Sequence, residues 1–158
     1  MHGGMAIEAL AVIDTMIALW NRKDAEEFAA LFAEDADFTD VLGQTAQGRA
    51  EIAAQHAFPF SRTLRKATLT ADHVAARTCG NDTLVARVHW SMSGPLGLDD
   101  SPLPTLHGKM QVVVQLGEAG WQIVSVLNQN PAGVFANLLP QGSEFNNSQQ
   151  QQQQSAAV

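Results

Sequence analysis

Two ionisable side chains, Asp40 and His56, are surrounded in the sequence by apolar residues. Asp40 follows Phe38 by two positions in the alternating stretch 37–41, so both side chains are expected on one side of a short strand. An apolar environment disfavours a charged carboxylate and raises its pKa towards the range of a general base. The alternative is that Asp40 only caps the turn that leads to Gly43.

His56 follows Ile52 by one helical turn in a third predicted helix, which begins after Gly48 and ends at Pro59. This spacing directs the imidazole towards the core side of the helix. Near neutral pH an imidazole can donate or accept a proton, which suits a relay with Asp40. The alternative is a core histidine that hydrogen-bonds a backbone carbonyl.

Other polar and aromatic residues are candidates for ligand contacts. Asn128, at the end of the last predicted strand, could hydrogen-bond a ligand carbonyl or the main chain. Gln129 is expected on the opposite face of the strand, so only one of the two can face the pocket. His89 and His107 are expected at the surface or rim. The candidates for an apolar substrate-binding wall, each also a core candidate, are Trp20, Phe38, Phe60, Trp90 and Met92.

Several classes of function lack their sequence signals. The histidines show no metal-ligand spacing, and no phosphate-binding or dinucleotide-binding loop is present, so we expect no metal and no cofactor. A net charge of −7 without a Lys/Arg cluster argues against nucleic acid and anionic membranes as partners. No apolar stretch is long enough to span a membrane, which favours a cytoplasmic protein. Cys79, the only cysteine, is expected to be a small core residue.

The first part of the chain is expected to be helical. Apolar residues recur at three- and four-residue spacing over residues 10–20, which predicts the first helix. Asp24 and Glu27 have the spacing of a capping box at the start of the second. The predicted buried stripe of that second helix is Phe28, Leu31 and Phe32.

The rest of the domain is expected to form strands. Residues 64–78, 84–93, 105–116 and 121–128 are rich in strand-forming residues, and 117–120 reads as a tight hairpin turn. Helices followed by a meander of antiparallel strands define the α+β class. We expect one domain over residues 1–139 and a disordered, glutamine-rich tail over 140–158.

Several short stretches occur together in one known superfamily. They are Trp20 to Ala25, Leu31 to Phe38, Gly43, Gly48-Arg49 and the strand from Gly120 to Asn128. Over roughly residues 6–130 the chain resembles the nuclear transport factor 2-like superfamily. Within it, the chain is most similar to the SnoaL-like and SgcJ/EcaC-type groups.

The resemblance implies a fold, a ligand and a partner. The fold would be a cone-shaped, strongly curved, mostly antiparallel sheet packed against three N-terminal helices around an apolar pocket. The ligand would be a small apolar or polyketide-like molecule, because biosynthetic roles are common in these groups. The partner would be a second copy of the chain, bound through the convex face of the sheet.

The resemblance also aligns Asp40 with the proton-shuttling aspartate of ketosteroid isomerases. The oxyanion hole of those enzymes needs a tyrosine and a protonated acid. This chain has no tyrosine, and Met16 and Val112 align with the two donors, which argues against that activity. The leading hypothesis is a cofactor-independent isomerase, cyclase or dehydratase. The alternatives are a hydrophobic-ligand carrier without chemistry and an assembly module.

Overall fold

The fold combines three helices with one six-stranded sheet. A computed structural model describes residues 2–131, with side chains from residue 6. The predicted end of the domain at residue 139 and the glutamine-rich tail lie outside the described residues. The elements are α1 His2–Arg22, α2 Ala25–Ala30, β1 Phe32–Thr39, β2 Thr45–Gln47, α3 Gly48–Ser61, β3 Thr68–Thr78, β4 Thr83–Ser93, β5 Leu106–Gly117 and β6 Gly120–Gln129.

Helix α1 lies along the sheet and is anchored at its C-terminal end. The predicted apolar stripe is confirmed, with Ile13, Met16 and Trp20 buried. The Asn21 side chain then accepts a hydrogen bond from the backbone N–H of Leu69 at 2.8 Å and donates one to the Leu69 carbonyl at 2.9 Å. Because these two bonds satisfy main-chain groups at the start of β3, they fix the end of the helix against the sheet.

Helix α2 is shorter than the sequence predicts. Asp24 caps it as expected by accepting a hydrogen bond from the N–H of Glu27. The helix ends at Ala30, however, and Phe32 begins strand β1, where it pairs with Ile123 of β6. Parallel pairing with β6 therefore prevails over helix propensity here. Phe32 would be buried in a helix and is buried in the strand, so its spacing of four residues from Phe28 does not distinguish the two.

Helix α3 continues past the residue predicted to end it. Pro59 lies inside the helix, which extends to Ser61. A proline removes one backbone hydrogen bond, but the next turn is held by other contacts. Phe60 is buried between the rings of Trp20 and Phe28, with centroids 5.5 and 5.8 Å away. The aromatic packing keeps the last turn of the helix in place.

The sheet has the strand order β2-β1-β6-β5-β4-β3. β1 and β6 are parallel, and every other neighbouring pair is antiparallel. On β5, Met110, Val112 and Val114 are buried while Gln111 and Gln115 are exposed, so the strand has one apolar and one mixed face. The helices cover the apolar face and leave the mixed face open. No helix in the described part of the chain is long and apolar enough to cross a membrane.

Glycine at position 108 makes room for a buried tryptophan. Gly108 pairs with Trp90 across β4 and β5, and a Cβ at position 108 would overlap the Trp90 indole and the Gln129 carbonyl. The indole N–H donates to Asn128 Oδ1 at 2.8 Å. The missing side chain on β5 therefore allows this tryptophan to pack flat and satisfy its donor.

We expect Gly108→Ala to lower the free energy of unfolding by about 2 kcal/mol or more, because the added methyl overpacks the core. The matched control is Gly117→Ala on the same strand, where a Cβ would meet nothing within 4 Å. That variant should change the free energy by no more than about 0.5 kcal/mol. Equal losses in urea denaturation of the two variants would contradict this account of position 108.

Candidate functional site

His56 is enclosed by aromatic rings in the centre of the domain. Only 7% of its surface is exposed, and its ring centroid lies 4.7 Å from Phe28, 4.7 Å from Phe38 and 5.4 Å from Phe60. Its Nδ1 atom is 2.8 Å from the Ile52 carbonyl oxygen. Because a carbonyl only accepts, Nδ1 carries the proton, and Nε2 of the neutral ring holds the free lone pair. The predicted core-facing position is correct, and so is the backbone hydrogen bond offered as its alternative.

Burial lowers the pKa of His56 from its ordinary 6.5, while the bond to Ile52 and the negative charge of Asp40 raise it. Burial is the largest of these effects, so the net pKa is below the usual value. The lowered pKa favours the neutral imidazole at neutral pH, and its Nε2 then holds a lone pair that can accept a proton.

Asp40 caps the turn between β1 and β2. Its Oδ1 accepts hydrogen bonds from the N–H groups of Leu42 at 2.9 Å and Gln44 at 3.0 Å. The alternative prediction, that Asp40 caps the turn, is therefore correct for Oδ1. The side chain is half-buried, and its Oδ2 accepts from Gln55 Nε2 at 3.3 Å. Among the described residues no hydrogen bond joins Asp40 to His56; the acid acts on the imidazole through its charge.

Gln55 is a site residue that the sequence analysis missed. Its Nε2 donates to the Phe38 carbonyl at 3.3 Å and the Gln44 carbonyl at 3.1 Å, in addition to Asp40. Its Oε1 is buried without a hydrogen-bond partner in the described structure. Gln55 follows Ile52 by three positions, so the helical spacing that selected His56 could have selected this residue as well.

The five predicted wall residues are all buried, and three of them form a chain of ring contacts with His56. Trp20 meets Phe60 edge-on at 5.5 Å, and Phe60 and Phe38 both contact the imidazole. Trp90 and Met92 are buried on β4. These side chains pack on one another as core. Two surface clefts that the structure describes are lined by other residues, between α2 and α3 and on the open face of the sheet.

Asn128 faces the interior, and Gln129 faces outward beside Lys109. Asn128 Oδ1 accepts from the Trp90 indole rather than from the main chain that the sequence analysis considered. In the parallel register Thr39 lies opposite Leu127, which brings Asp40 and Asn128 to the same end of β1 and β6. The fold therefore gathers the predicted polar candidates at one end of the sheet, close to α3.

The remaining histidines lie away from this group. The rings of His89 and His73 are tilted by 58° with centroids 5.8 Å apart on the open face of the sheet, and His107 is exposed at the start of β5, as predicted. Within residues 2–131 no group of three or more His, Cys, Asp or Glu side chains is arranged to hold a metal ion.

The fold is that of nuclear transport factor 2-like and cystatin-like proteins. A cystatin-like protein from Caulobacter vibrioides superposes with a TM-score of 0.75 at 22% identity, over 87% of this chain and 97% of that one. A nuclear transport factor 2-like protein from Salmonella enterica serovar Typhimurium gives 0.73 at 21% identity, over 85% and 96%. A cystatin-like domain from Nostoc punctiforme gives 0.68 at 28% identity, over 96% and 93%.

A comparison of the sequence with protein-family models identifies the family within that fold. Residues 13–121 match the SnoaL-like domain, so the chain belongs to the SnoaL-like domain family. None of the curated proteins compared with the chain matches it. The resemblance stated from the short sequence stretches is thereby confirmed at the level of fold and family.

The lowered pKa of His56 predicts a pH-dependent stability. The folded-state pKa lies below the 6.5 of an unperturbed histidine, so the unfolded chain binds the proton more readily. The stability that the neutral His56 contributes is fully present above pH 6.5, and it is lost as the pH falls towards the folded-state pKa. In urea denaturation, His56→Leu should therefore lose less stability than the wild type between about pH 7 and pH 5. The exposed control His107→Leu should follow the wild type, and an unchanged pH slope in His56→Leu would contradict the assignment.

Proposed function

We propose that the chain is a cytoplasmic, cofactor-independent enzyme that moves a proton next to a carbonyl group of a small apolar, polyketide-like molecule. The observation that carries this proposal is the neutral imidazole of His56, buried among three rings, whose pKa responds to the charge of Asp40. A buried acceptor beside a carboxylate is the arrangement that general acid–base catalysis requires.

In this proposal Asp40 Oδ2 is the base, since Oδ1 is held by the turn. The carboxylate removes a proton from the carbon next to the carbonyl, and an enolate is left. The proton returns to another carbon in an isomerisation. In a cyclisation the enolate carbon attacks a second carbonyl, whose oxygen takes up the proton as its π bond breaks. In a dehydration the enolate expels a hydroxyl group, which leaves with the proton as water. One such acid–base pair contributes about 10²–10⁴ in rate, which suits a substrate whose C–H is already acidic.

His56 Nε2 is then the second proton-accepting group; because no hydrogen bond joins it to Asp40 among the described residues, a proton passes between the two only through the bound substrate. Gln55 is a positioning residue, because its amide holds the carboxylate oxygen that the reaction uses. The two positions aligned with the ketosteroid isomerase donors are the buried apolar residues Met16 and Val112, which cannot stabilise an oxyanion. The proposal therefore concerns activated substrates and does not extend to steroid isomerisation.

A carrier for apolar ligands is the second candidate. It is favoured by the hydrogen bonds that already occupy the polar candidates, since Asp40 Oδ1 binds its own turn and Asn128 Oδ1 binds Trp90. In that case the polar groups would stabilise the fold and only orient the ligand. The two candidates differ in whether C–H exchange accompanies binding.

Asp40→Asn separates them, because the amide oxygen can still accept from Leu42 and Gln44 while the base is lost. We expect exchange of the acidic C–H of an aryl 1,3-diketone in D₂O, followed by proton NMR, to fall by about 10² or more in this variant. Binding of the diketone, followed by tryptophan fluorescence, should persist. The matched control is Asp99→Asn, a carboxylate that accepts from Ser101 in an exposed loop. Exchange at the wild-type rate in Asp40→Asn would refute the base, and binding without any wild-type exchange would favour the carrier.

We also propose a homodimer through the open face of the sheet. That face carries the half-buried Val85 and Val113 and the exposed Leu127, with no helix over them in the described structure. Apolar residues exposed together on one face are typical of a surface that binds another protein.

Val113→Lys should shift the wild-type dimer to a monomer in size-exclusion chromatography with light scattering, because it buries an unpaired ammonium. The control is Leu42→Lys, at a residue 80% exposed in the turn between β1 and β2, which should remain dimeric. Deletion of residues 140–158 tests the assembly alternative, and the variant should have the same oligomeric state as the wild type. A monomeric wild type would contradict the proposal.

A further inference from the structure

The open face of the sheet gathers basic side chains in an acidic protein. The chain has a net charge of −7, and its cations are scattered along the sequence. The register of the strands nevertheless places five basic side chains on adjacent positions of one face. His73, His89 and Lys109 form one cross-strand row, Arg87 lies in the next, and Arg77 in the row after that.

The two arginines border a recess. Arg87 pairs with Ala75 and Arg77 pairs with Val85, so the guanidinium groups are diagonal neighbours across β3 and β4. The other members of the two pairs have small side chains, which leaves space between the arginines. The recess has a volume of about 240 Å³ and is lined by Ala75, Ala76, Arg77, Val85, Arg87 and Gln111.

The two arginines and the lysine of this group form no ion pair in the described structure. The ion pairs among residues 2–131 use Arg22, Arg62 and Arg65, and neither Arg87 nor Lys109 takes part in one. Arg77 Nη1 donates to Cys79 Sγ at 2.8 Å; this cysteine is partly exposed beside the β3–β4 turn, so its prediction as a core residue was wrong.

The carboxylate of Asp72 lies close enough to act on His89, and its Oδ1 accepts from the Ser91 hydroxyl at 3.1 Å. The pKa of His89 is lowered by burial and then by Lys109, His73 and Arg87, against the opposing effect of Asp72. Basic side chains therefore outnumber carboxylates on the part of this face formed by β3, β4 and β5.

We propose that the recess between Arg77 and Arg87 binds a small oxyanion such as phosphate or a dicarboxylate. Each guanidinium offers a planar fork of donors that matches two oxygens of such an anion. Gln111, opposite Arg87 on β5, adds an amide donor on the third side. An anion held there offsets the repulsion between like charges that cross-strand neighbours otherwise experience.

This site is separate from the group around His56, which lies on the opposite face of the sheet, and it does not depend on the proposed enzymatic activity. Val85 lines this recess and also belongs to the proposed dimer face, so the dimer and the free anion would compete for the same surface, and the titration is made at a protein concentration at which light scattering shows a monomer. The bound anion is inferred for the single chain and is tested by binding.

The experiment is isothermal titration of the full chain with inorganic phosphate and, in a second arm, with malonate, in sodium chloride at constant ionic strength. We expect saturable one-site binding of at least one dianion to the wild type. Arg77→Gln and Arg87→Gln should each weaken the dissociation constant by about tenfold or more, because each removes a charged fork. Arg87→Lys should fall between them and the wild type, since it keeps the charge but loses the planar geometry.

The matched control is Arg65→Gln, which removes a cation paired with Asp100 at a distant loop and should bind the anion as the wild type does. Circular dichroism of each variant establishes that it is folded. Two results would overturn the proposal: heats no larger than those of added chloride, or equal affinity in the wild type and a folded Arg77→Gln/Arg87→Gln double variant.

Discussion

The candidate site depends on one hydrogen bond, between His56 Nδ1 and the carbonyl of Ile52 one turn earlier in α3. A buried imidazole without a partner would cost free energy, and this bond supplies the partner within its own helix. It also fixes which ring nitrogen carries the proton, so that the lone pair stays on Nε2. The surrounding rings exclude water and keep the imidazole neutral.

The parallel pairing of β1 with β6 determines which side chains join His56. It brings the C-terminal end of β1 beside the end of β6, so the turn that holds Asp40 lies near α3 and near Asn128. The Gln55 side chain bridges that turn to the helix through the Phe38 and Gln44 carbonyls. Proteins of the same fold can therefore present different polar groups at this end of the sheet while the core is retained.

Much of the architecture could be predicted from local patterns. The stripe of α1, the cap at Asp24 and the strand over residues 105–116 each depend on near neighbours in sequence and are confirmed. Phe32 was misassigned because its burial in a strand has the same spacing signature as burial in a helix. Pro59 was misread because ring packing of Phe60 offsets the loss of one backbone bond.

The limits of sequence reasoning are clearest where partners are distant. The inward side of His56 followed from helical periodicity, whereas the bond between Asn128 and Trp90 spans 38 positions and requires the register of three strands. The cluster of basic residues on the open face arises in the same way, because cations far apart in sequence become neighbours only when β3, β4 and β5 pair. No short segment of the sequence shows which of these residues become neighbours.

The central claim is that the carboxylate of Asp40 acts electrostatically on a neutral, Nδ1-protonated His56. Nitrogen-15 NMR of the histidine side chains across a pH titration measures both properties directly, in the wild type and in Asp40→Asn. The account predicts the Nδ1–H tautomer, a pKa below 6.5, and a further decrease when the carboxylate is neutralised, since Asp40 raises that pKa in the folded protein. An Nε2–H tautomer, or a His56 pKa that is the same in both proteins, would contradict it.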